Sequence, residues 1–517
     1  MNPPAASPTF AMLTFVLIAG CTLSKLAAAS LTGFTGDEAY TIVIARTLAL
    51  SYFDHPPLHQ WIVYAFTACF GEGWWVRLPF LFMAVALNVP LYGLTRRLFG
   101  HEAALCALFG FNATAYFVVW PDGLILPDVP LFLFLTAGVW AVAEILFAPP
   151  RKNGTLWLLW LAAGMAFGFA GLSKYSAIFV PVSLFGFLCG SNAHRQWLWR
   201  PHAYVAEALA IAIFSPVLIW NYQNDWVSFA FQSGRAAQSA SLDASAFAAF
   251  GKAVGAQAAL LSPWAGIPLL IALASATRTP GAGSASRFLL WLVAVPLVLF
   301  SALPFFGKTA IPHWFNSAWL FAFPLLGRWL SEQNERRLRS WAVLSAVLTA
   351  VSFAAFTGYV AEGPFFQVTS ANASQHEPTQ WSYDWQLLRD LSASSASDAV
   401  PPAFVVADNW RVGGKAGAAL GPQVPVCVFS QDPREFAYLC DTNARLGQDA
   451  LIIIPKERAE LGLAALAPYF QRLGPTEEIA VGRRGHSERL VTLTRAYVLL
   501  RPYPSPYGND SKQMLAR

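Results

Sequence analysis

Two short motifs hold the residues best suited to chemistry, Gly36-Asp37-Glu38-Ala39-Tyr40 and Tyr52-Phe53-Asp54-His55-Pro56-Pro57. They gather Asp37, Glu38, Asp54 and His55 into one stretch between long apolar segments. Charge beside a bilayer is costly and marks a working site. The first motif opens a helix-like run from Ala39 to Leu50, and the second closes it, because paired prolines stop one helix and suit the first turn of the next. Asp37 and Glu38 are adjacent, so on a helix they point about 100° apart. One can face a reactive site while the other caps the helix start, where an acid is stabilising in itself.

Other candidates follow along the chain. Asp122 and Asp128 flank a turn; Asp128, two residues before Pro130, reads equally as a helix cap and as a site acid. Lys174, in Gly171-Leu172-Ser173-Lys174, can snorkel to an interface or hold an anionic phosphate. Lys308, His313 and Trp314 share a later loop, where a His-Trp pair also fits an aromatic belt. Arg411 follows Asp408-Asn409-Trp410 at a predicted strand end, a common ligand position. Carboxylates serve as a general base or a metal ligand, and lysines stabilise a phosphate leaving group. The combination fits group transfer from a lipid phosphate at a membrane surface.

The elements that must position these residues are apolar. Of 517 residues, 56% are hydrophobic and only 12% charged, with a mean hydropathy of +0.45; soluble domains carry about 25% charged residues. Eleven runs of membrane-helix length are read, at roughly 10–30, 78–98, 103–120, 124–147, 155–172, 176–190, 203–221, 252–275, 286–303, 313–331 and 338–360. With the N-terminus in the cytoplasm, the five inward loops hold twelve basic residues, among them Arg96, Arg97, Arg151, Arg287 and Arg336, against five in the outward loops up to residue 312. The positive-inside rule therefore puts the Asp37 loop (31–77) and everything after about residue 361 outside. The net charge of +5 needs no nucleic-acid partner, since inward loops absorb much of the basic surplus. The first apolar run is long and has no basic region before it, so it reads as a retained anchor rather than a cleaved signal.

Residues 1–360 thus form a transmembrane domain, and 361–517 a soluble domain in which short apolar runs replace long ones. Strands are read at 403–407, 424–430, 451–455 and 489–500, and helices at 411–420 and 464–473, which is an α/β pattern. Ser392 to Asp398 reads as a loop, and Gly413-Gly414 beside Lys415 as a weak phosphate cradle. Cys427 and Cys440 lie in this tail, where an oxidising compartment permits a disulfide. Cys21, Cys69, Cys106 and Cys189 sit in or beside apolar segments as packing residues, and no metal-ligand spacing is present.

At the two motifs, followed by Trp75-Val76-Arg77-Leu78-Pro79, the chain resembles the GT-C membrane glycosyltransferases. More narrowly, it resembles the protein mannosyltransferase-like branch that includes lipid A aminoarabinose and galacturonic acid transferases. Pro127-Asp128-Val129-Pro130, Leu172-Ser173-Lys174 and His313-Trp314 also fall in the pattern, over about residues 10–330. The resemblance implies a polytopic helical fold of about eleven spans. It also implies an inverting transfer from a polyprenyl-phosphate sugar to an envelope acceptor (lipid A, another glycolipid, a glycan or protein) outside the inner membrane. By the same resemblance Asp37 is the catalytic carboxylate and Asp128 a second site acid. Lys174 binds the carrier phosphate, while Glu38, Tyr40, Asp54, His55, Lys308 and His313 complete the substrate pocket. Some members use a divalent metal and others none, so no metal is assigned. Tyr40 and Asp54-His55 depart from the arginine and the Glu-Lys of aminoarabinose transferases, which weighs against that donor sugar. The competing readings are a multipass transporter or flippase of a lipid-linked sugar and a non-catalytic envelope assembly protein. Charge clustered at one face, and no internal repeat, argue against the transporter. Donor sugar, acceptor and oligomeric state are not written in the sequence.

Overall fold

A computed structural model describes residues 8–114, 124–236, 243–278, 283–307, 312–362, 385, 388, 402–483 and 486–507. Asp122, Lys308 and the 392–398 segment lie outside the described residues.

The chain begins with the apolar helix α1 (Pro8–Leu31) and then turns into α2 (Gly36–Ala45). Thr35 and Glu38 start α2 as a capping box, each satisfying the other's backbone N–H. The helix stops at Ala45, short of the expected Leu50, because Arg46 turns away to Glu72 and to the carbonyls of Gly417 and Gly421. Pro56-Pro57 then lead into α3 (Leu58–Phe70). A 3-10 turn, α4 (Leu78–Ala86) and α5 (Asn88–Phe99) make one apolar span, followed by α6 (His101–Asn112), α7 (Asp128–Phe147), α8 (Asn153–Ser173), α9 (Phe179–Cys189) and α10 (Pro201–Gln223). After α11 (Val227–Ala236) come α12 (Ala244–Leu260), α13 (Pro263–Arg278), α14 (Ser284–Gly307), α15 (Asn316–Leu320), α16 (Phe323–Ser331) and α17 (Glu335–Glu362).

Among the described residues, seven helices are long and apolar enough to span a membrane, or eight if the α12–α13 pair is one bent span. This is fewer than the eleven apolar runs. The 103–120 run lies partly outside the described residues, and three other runs are broken for local reasons. Ser262, at φ 59°, and Pro263 bend α12 against α13 by 109°. Lys174 ends α8 before the 176–190 run, so α9 is only 11 residues long. The 313–331 run breaks near Phe321-Ala322, ahead of Pro324. Hydropathy reads composition and is blind to such breaks. Small residues bring the helices close: a Cβ on Gly164 in α8 would sit 2.3 Å from the Ala206 carbonyl oxygen of α10.

The C-terminal part is an α/β sheet. It contains β1 (Phe404–Ala407), α18 (Trp410–Leu420), β2 (Val426–Val428), α19 (Phe436–Leu439), β3 (Ala450–Pro455), α20 (Lys456–Leu466), β4 (Phe470–Arg483) and β5 (His486–Leu499). Strand order is β2-β1-β3-β5-β4, parallel for the first three and antiparallel for the last two. The helix expected at 464–473 is wrong: α20 ends at Leu466 and β4 begins at Phe470. As an edge strand, β4 tolerates the polar run and Pro475, where its register shifts. Cys427 and Cys440 are bonded, with Cα atoms 5.3 Å apart.

The C-terminal sheet and the first loop share one core. Tyr40, Val43 and Ile44 of α2 pack with Val405, Trp410, Ala416 and Phe436. The backbones of α2 and α18 touch, since a Cβ on Gly414 would lie 2.6 Å from the Tyr40 nitrogen. Gly413 faces Val428 and Phe436 in the same core. The two glycines therefore serve helix docking, which replaces the phosphate-cradle expectation.

Candidate active site

A cavity of about 1120 Å³ opens where α2, the Asp54 loop, α7, α8 and the C-terminal sheet domain converge. Asp37, His55, Asp128, Lys174 and His313 all line it, so five of the expected site residues meet across more than 270 residues of sequence. The rest of the wall is mostly apolar, with Phe167, Ile178, Pro181, Ile211, Phe214 and Leu303, and also carries Glu207. The cavity thus joins a charged head to a lipid-compatible groove.

At the head, the Lys174 ammonium donates to both oxygens of Asp128 at 2.8 Å, and both side chains are nearly buried. The local sequence explains this. Asp128 is the first residue of α7 after Pro127, and Lys174 is the residue that ends α8 in extended conformation. Asp128 is therefore committed to orienting the lysine. Asp37 is the more available carboxylate: its side chain is one-third exposed, with Arg411 Nε 3.6 Å from Oδ2.

Glu38, Tyr40 and Asp54 do not line the cavity, which corrects their expected place as pocket residues. Glu38 turns away from the site and is wholly buried against Arg77, accepting from Nε at 2.9 Å and Nη2 at 2.5 Å. Burial alone would raise its pKa, but the Arg77 charge and hydrogen bonds hold the carboxyl below the usual range. The Asp-Glu-Ala-Tyr and Trp-x-Arg-Leu-Pro motifs are thus two halves of one ion pair. The Tyr40 hydroxyl donates to Asp54 Oδ1 at 3.1 Å while its ring packs edge-on to Trp410. Asp54 is fully buried, and its Oδ2 accepts from Arg434 Nη1 at 2.9 Å. Its backbone carbonyl accepts from Gln232 of α11 at 2.7 Å. Asp54 therefore fixes the loop that presents His55.

Arg411 and Arg434 add to the cavity wall from the C-terminal domain, with their guanidinium carbons 4.2 Å and 3.7 Å from the Trp410 ring centre. Sequence reasoning gave Arg411 little weight and missed Arg434. Its only signal is a charged pair, Arg434-Glu435, inside the disulfide-closed segment.

Glu435 is fully buried at the same junction and accepts from the Phe53 N–H at 2.6 Å. Burial, helped by Asp54, pushes its pKa up to about 8 against that N–H, which favours the ionised form. The folded protein then keeps a proton that the unfolded chain releases near pH 4.5, so this group's contribution to stability falls as pH rises from there to about 8. Glu435→Gln keeps an acceptor for Phe53 and is expected to flatten that slope, with melting less pH-dependent between pH 5 and 9 than in the unsubstituted protein.

Among the described residues, no group of three or more His, Cys, Asp or Glu side chains is placed to hold a metal ion.

A family model described as dolichyl-phosphate-mannose-protein mannosyltransferase matches residues 54–220, the stretch that holds Asp54, His55, Asp128 and Lys174. The lipid A galacturonosyltransferase RgtD of Rhizobium johnstonii is 28% identical over 206 residues, which is 38% of this chain. The chain spans only 40% of the length of that curated relative. Among solved structures, ArnT from Cupriavidus metallidurans bound to undecaprenyl phosphate superposes with a TM-score of 0.65 at 16% identity, covering 93% of this chain and 97% of ArnT. The chain shares the fold of ArnT. The archaeal oligosaccharyltransferase AglB of Archaeoglobus fulgidus, in complex with an inhibitory peptide and a dolichol-phosphate, shares it at a TM-score of 0.51 and 12% identity, over 87% of this chain and 71% of its own. This fold, built on helices long and apolar enough to cross a bilayer, makes this a membrane protein.

Proposed function

We propose that the chain is an integral membrane glycosyltransferase. It moves a sugar from a polyprenyl phosphate to an envelope acceptor on the extracytoplasmic face of the inner membrane. The observation that carries the reading is the single cavity joining Asp37 and the Asp128–Lys174 pair to an apolar groove. The undecaprenyl phosphate bound to ArnT, and the lipid A activity in the name of RgtD, point the same way.

The chemistry is an inverting displacement. The acceptor hydroxyl oxygen attacks the anomeric carbon as the bond from that carbon to the phosphate oxygen breaks. Asp37 takes the hydroxyl proton, and the polyprenyl phosphate leaves with its negative charge facing Lys174. Asp128 keeps the lysine aimed. A lipid-linked sugar is thus the donor partner, and a glycolipid the first acceptor to test.

Envelope glycolipids from cells with and without the gene are expected to differ by one sugar mass on mass spectrometry. In the same study, Lys174→Ala is expected to weaken undecaprenyl phosphate binding by the purified protein by about tenfold or more, the worth of a charge-assisted hydrogen bond. Identical glycolipids and unchanged binding would overturn the reading.

A further inference from the structure

We propose that Arg434 is a positioning residue of the transfer site, delivered by a disulfide-closed arm of the C-terminal domain that acts through Asp54 on His55. The activity half of the proposal rests on the glycosyltransferase reading; the structural half does not.

The arm runs from Cys427 in β2 to Cys440, thirteen positions on and just after α19, where the disulfide ties it back to β2. Its tip enters the junction between domain and loop. Arg434 Nη1 donates to Asp54 Oδ2 at 2.9 Å, and the Glu435 N–H donates to the Tyr40 hydroxyl at 3.2 Å, which in turn donates to Asp54 Oδ1 at 3.1 Å. Both carboxylate oxygens of Asp54 are thus held by groups that depend on the arm. Glu435 meanwhile accepts from the Phe53 N–H, and Phe53 stacks on Tyr507 at 4.3 Å. The next residue, His55, lines the cavity.

Backbone conformation argues that the identity of Arg434 matters. Its φ is 51°, in the left-handed region where glycine or asparagine is the inexpensive choice. A hairpin that only needed to turn would carry one of those. Here a guanidinium sits in a strained conformation, 13% exposed, between Asp54, Asp432 (3.6 Å) and the Trp410 ring. Strain kept at a site wall is the mark of a residue held for its side chain.

The test uses the full-length protein in nanodiscs. In Arg434→Gln, hydrogen exchange is expected to rise in peptides covering 52–55 and to stay unchanged in the membrane helices. Arg434→Lys, which keeps the charge without the planar fork, is expected to fall between. Mild reduction of the intact protein should reproduce the Arg434→Gln pattern, as should Cys427→Ser with Cys440→Ser. Restored to deletion cells at equal protein level, Arg434→Gln is expected to lower glycolipid modification about a hundredfold while undecaprenyl phosphate binding stays within about threefold, as displaced catalytic geometry does. Asp54→Asn and the double variant should lose no more than Arg434→Gln does alone, because the two residues act as one unit. Unchanged exchange at 52–55 would overturn the proposal, as would multiplicative losses in the double variant. Weakened undecaprenyl phosphate binding with normal transfer capacity would overturn it too, by making Arg434 a substrate contact. If unsubstituted protein modifies no glycolipid, the glycosyltransferase reading fails, and the exchange pattern alone decides the arm.

Discussion

Asp37→Asn is expected to abolish sugar transfer while leaving the protein inserted and folded. The substitution keeps the size of the side chain and removes only its charge and basicity. Little of the fold depends on that charge. The side chain is one-third exposed, it faces Arg411 Nε at 3.6 Å, and the hydrogen bond from Thr41 uses the Asp37 backbone carbonyl. Asparagine is also acceptable near a helix start. On the proposed mechanism, what is lost is the proton acceptor for the attacking hydroxyl, worth about 10²–10⁴ in rate. Three neighbouring carboxylates are already engaged: Asp128 is held by Lys174, Asp54 by Arg434 and Tyr40, and Glu38 by Arg77. Mass spectrometry of envelope glycolipids from cells carrying Asp37→Asn, with membrane protein levels matched, reads the result. Transfer at the normal level in correctly inserted protein would move the base elsewhere, and Asp128 would be tested next.

The meeting of Asp37, His55, Asp128, Lys174 and His313 was legible because each stands at the end of an apolar run on one side of the bundle. Topology alone then brings helix ends together, even where residues are far apart in sequence. Within a motif, type did not say direction. Asp37 and Glu38 were expected to point about 100° apart, but the partner that Glu38 turns to, Arg77, was not readable from the motif. Asp54 read as a pocket group and is a buried anchor, because its partner Arg434 comes from a domain whose docking no local pattern announces. The bend of 109° at Ser262-Pro263 was hidden for a related reason: hydropathy reads composition and does not register it. In the C-terminal domain, the buried strands β1 and β3 were readable as apolar runs, whereas β4 was not, because an edge strand needs no such run.

Arg77→Met is expected to be the most destabilising single change near the site, by about 3–5 kcal/mol, the cost of leaving one charge of a buried pair alone. Glu38 and Arg77 have side-chain exposures of 0% and 3%, so neither can turn to water. The pair also ties distant segments together. Arg77 donates to the carbonyls of Ala29, Thr32 and Gly33 at the end of α1, and its guanidinium lies over the Phe34 ring at 4.8 Å. Glu38 accepts from the Thr35 N–H at 2.9 Å and from the Leu124 N–H at 2.8 Å. Removing the guanidinium therefore loosens α1, the start of α2 and the approach to α7 together, and Asp37 moves with them. Glu38→Gln should cost less, because the amide oxygen still accepts from one of the two N–H groups, Thr35 or Leu124, and the three carbonyls still hold Arg77. Replacing both by methionine should recover part of the Arg77→Met loss, since no unpaired charge remains. The linkage to pH has a fixed sign. The folded pKa of Glu38 is depressed, so its contribution is present above the usual carboxylate range and is lost as pH falls through the folded value. Thermal unfolding of the purified protein in nanodiscs should show acid sensitivity in the unsubstituted chain and less of it in Glu38→Gln. A double variant less stable than Arg77→Met would show that the pair is worth more than the buried charge it neutralises, because hydrogen bonds to Thr35, Leu124 and the α1 carbonyls would then dominate.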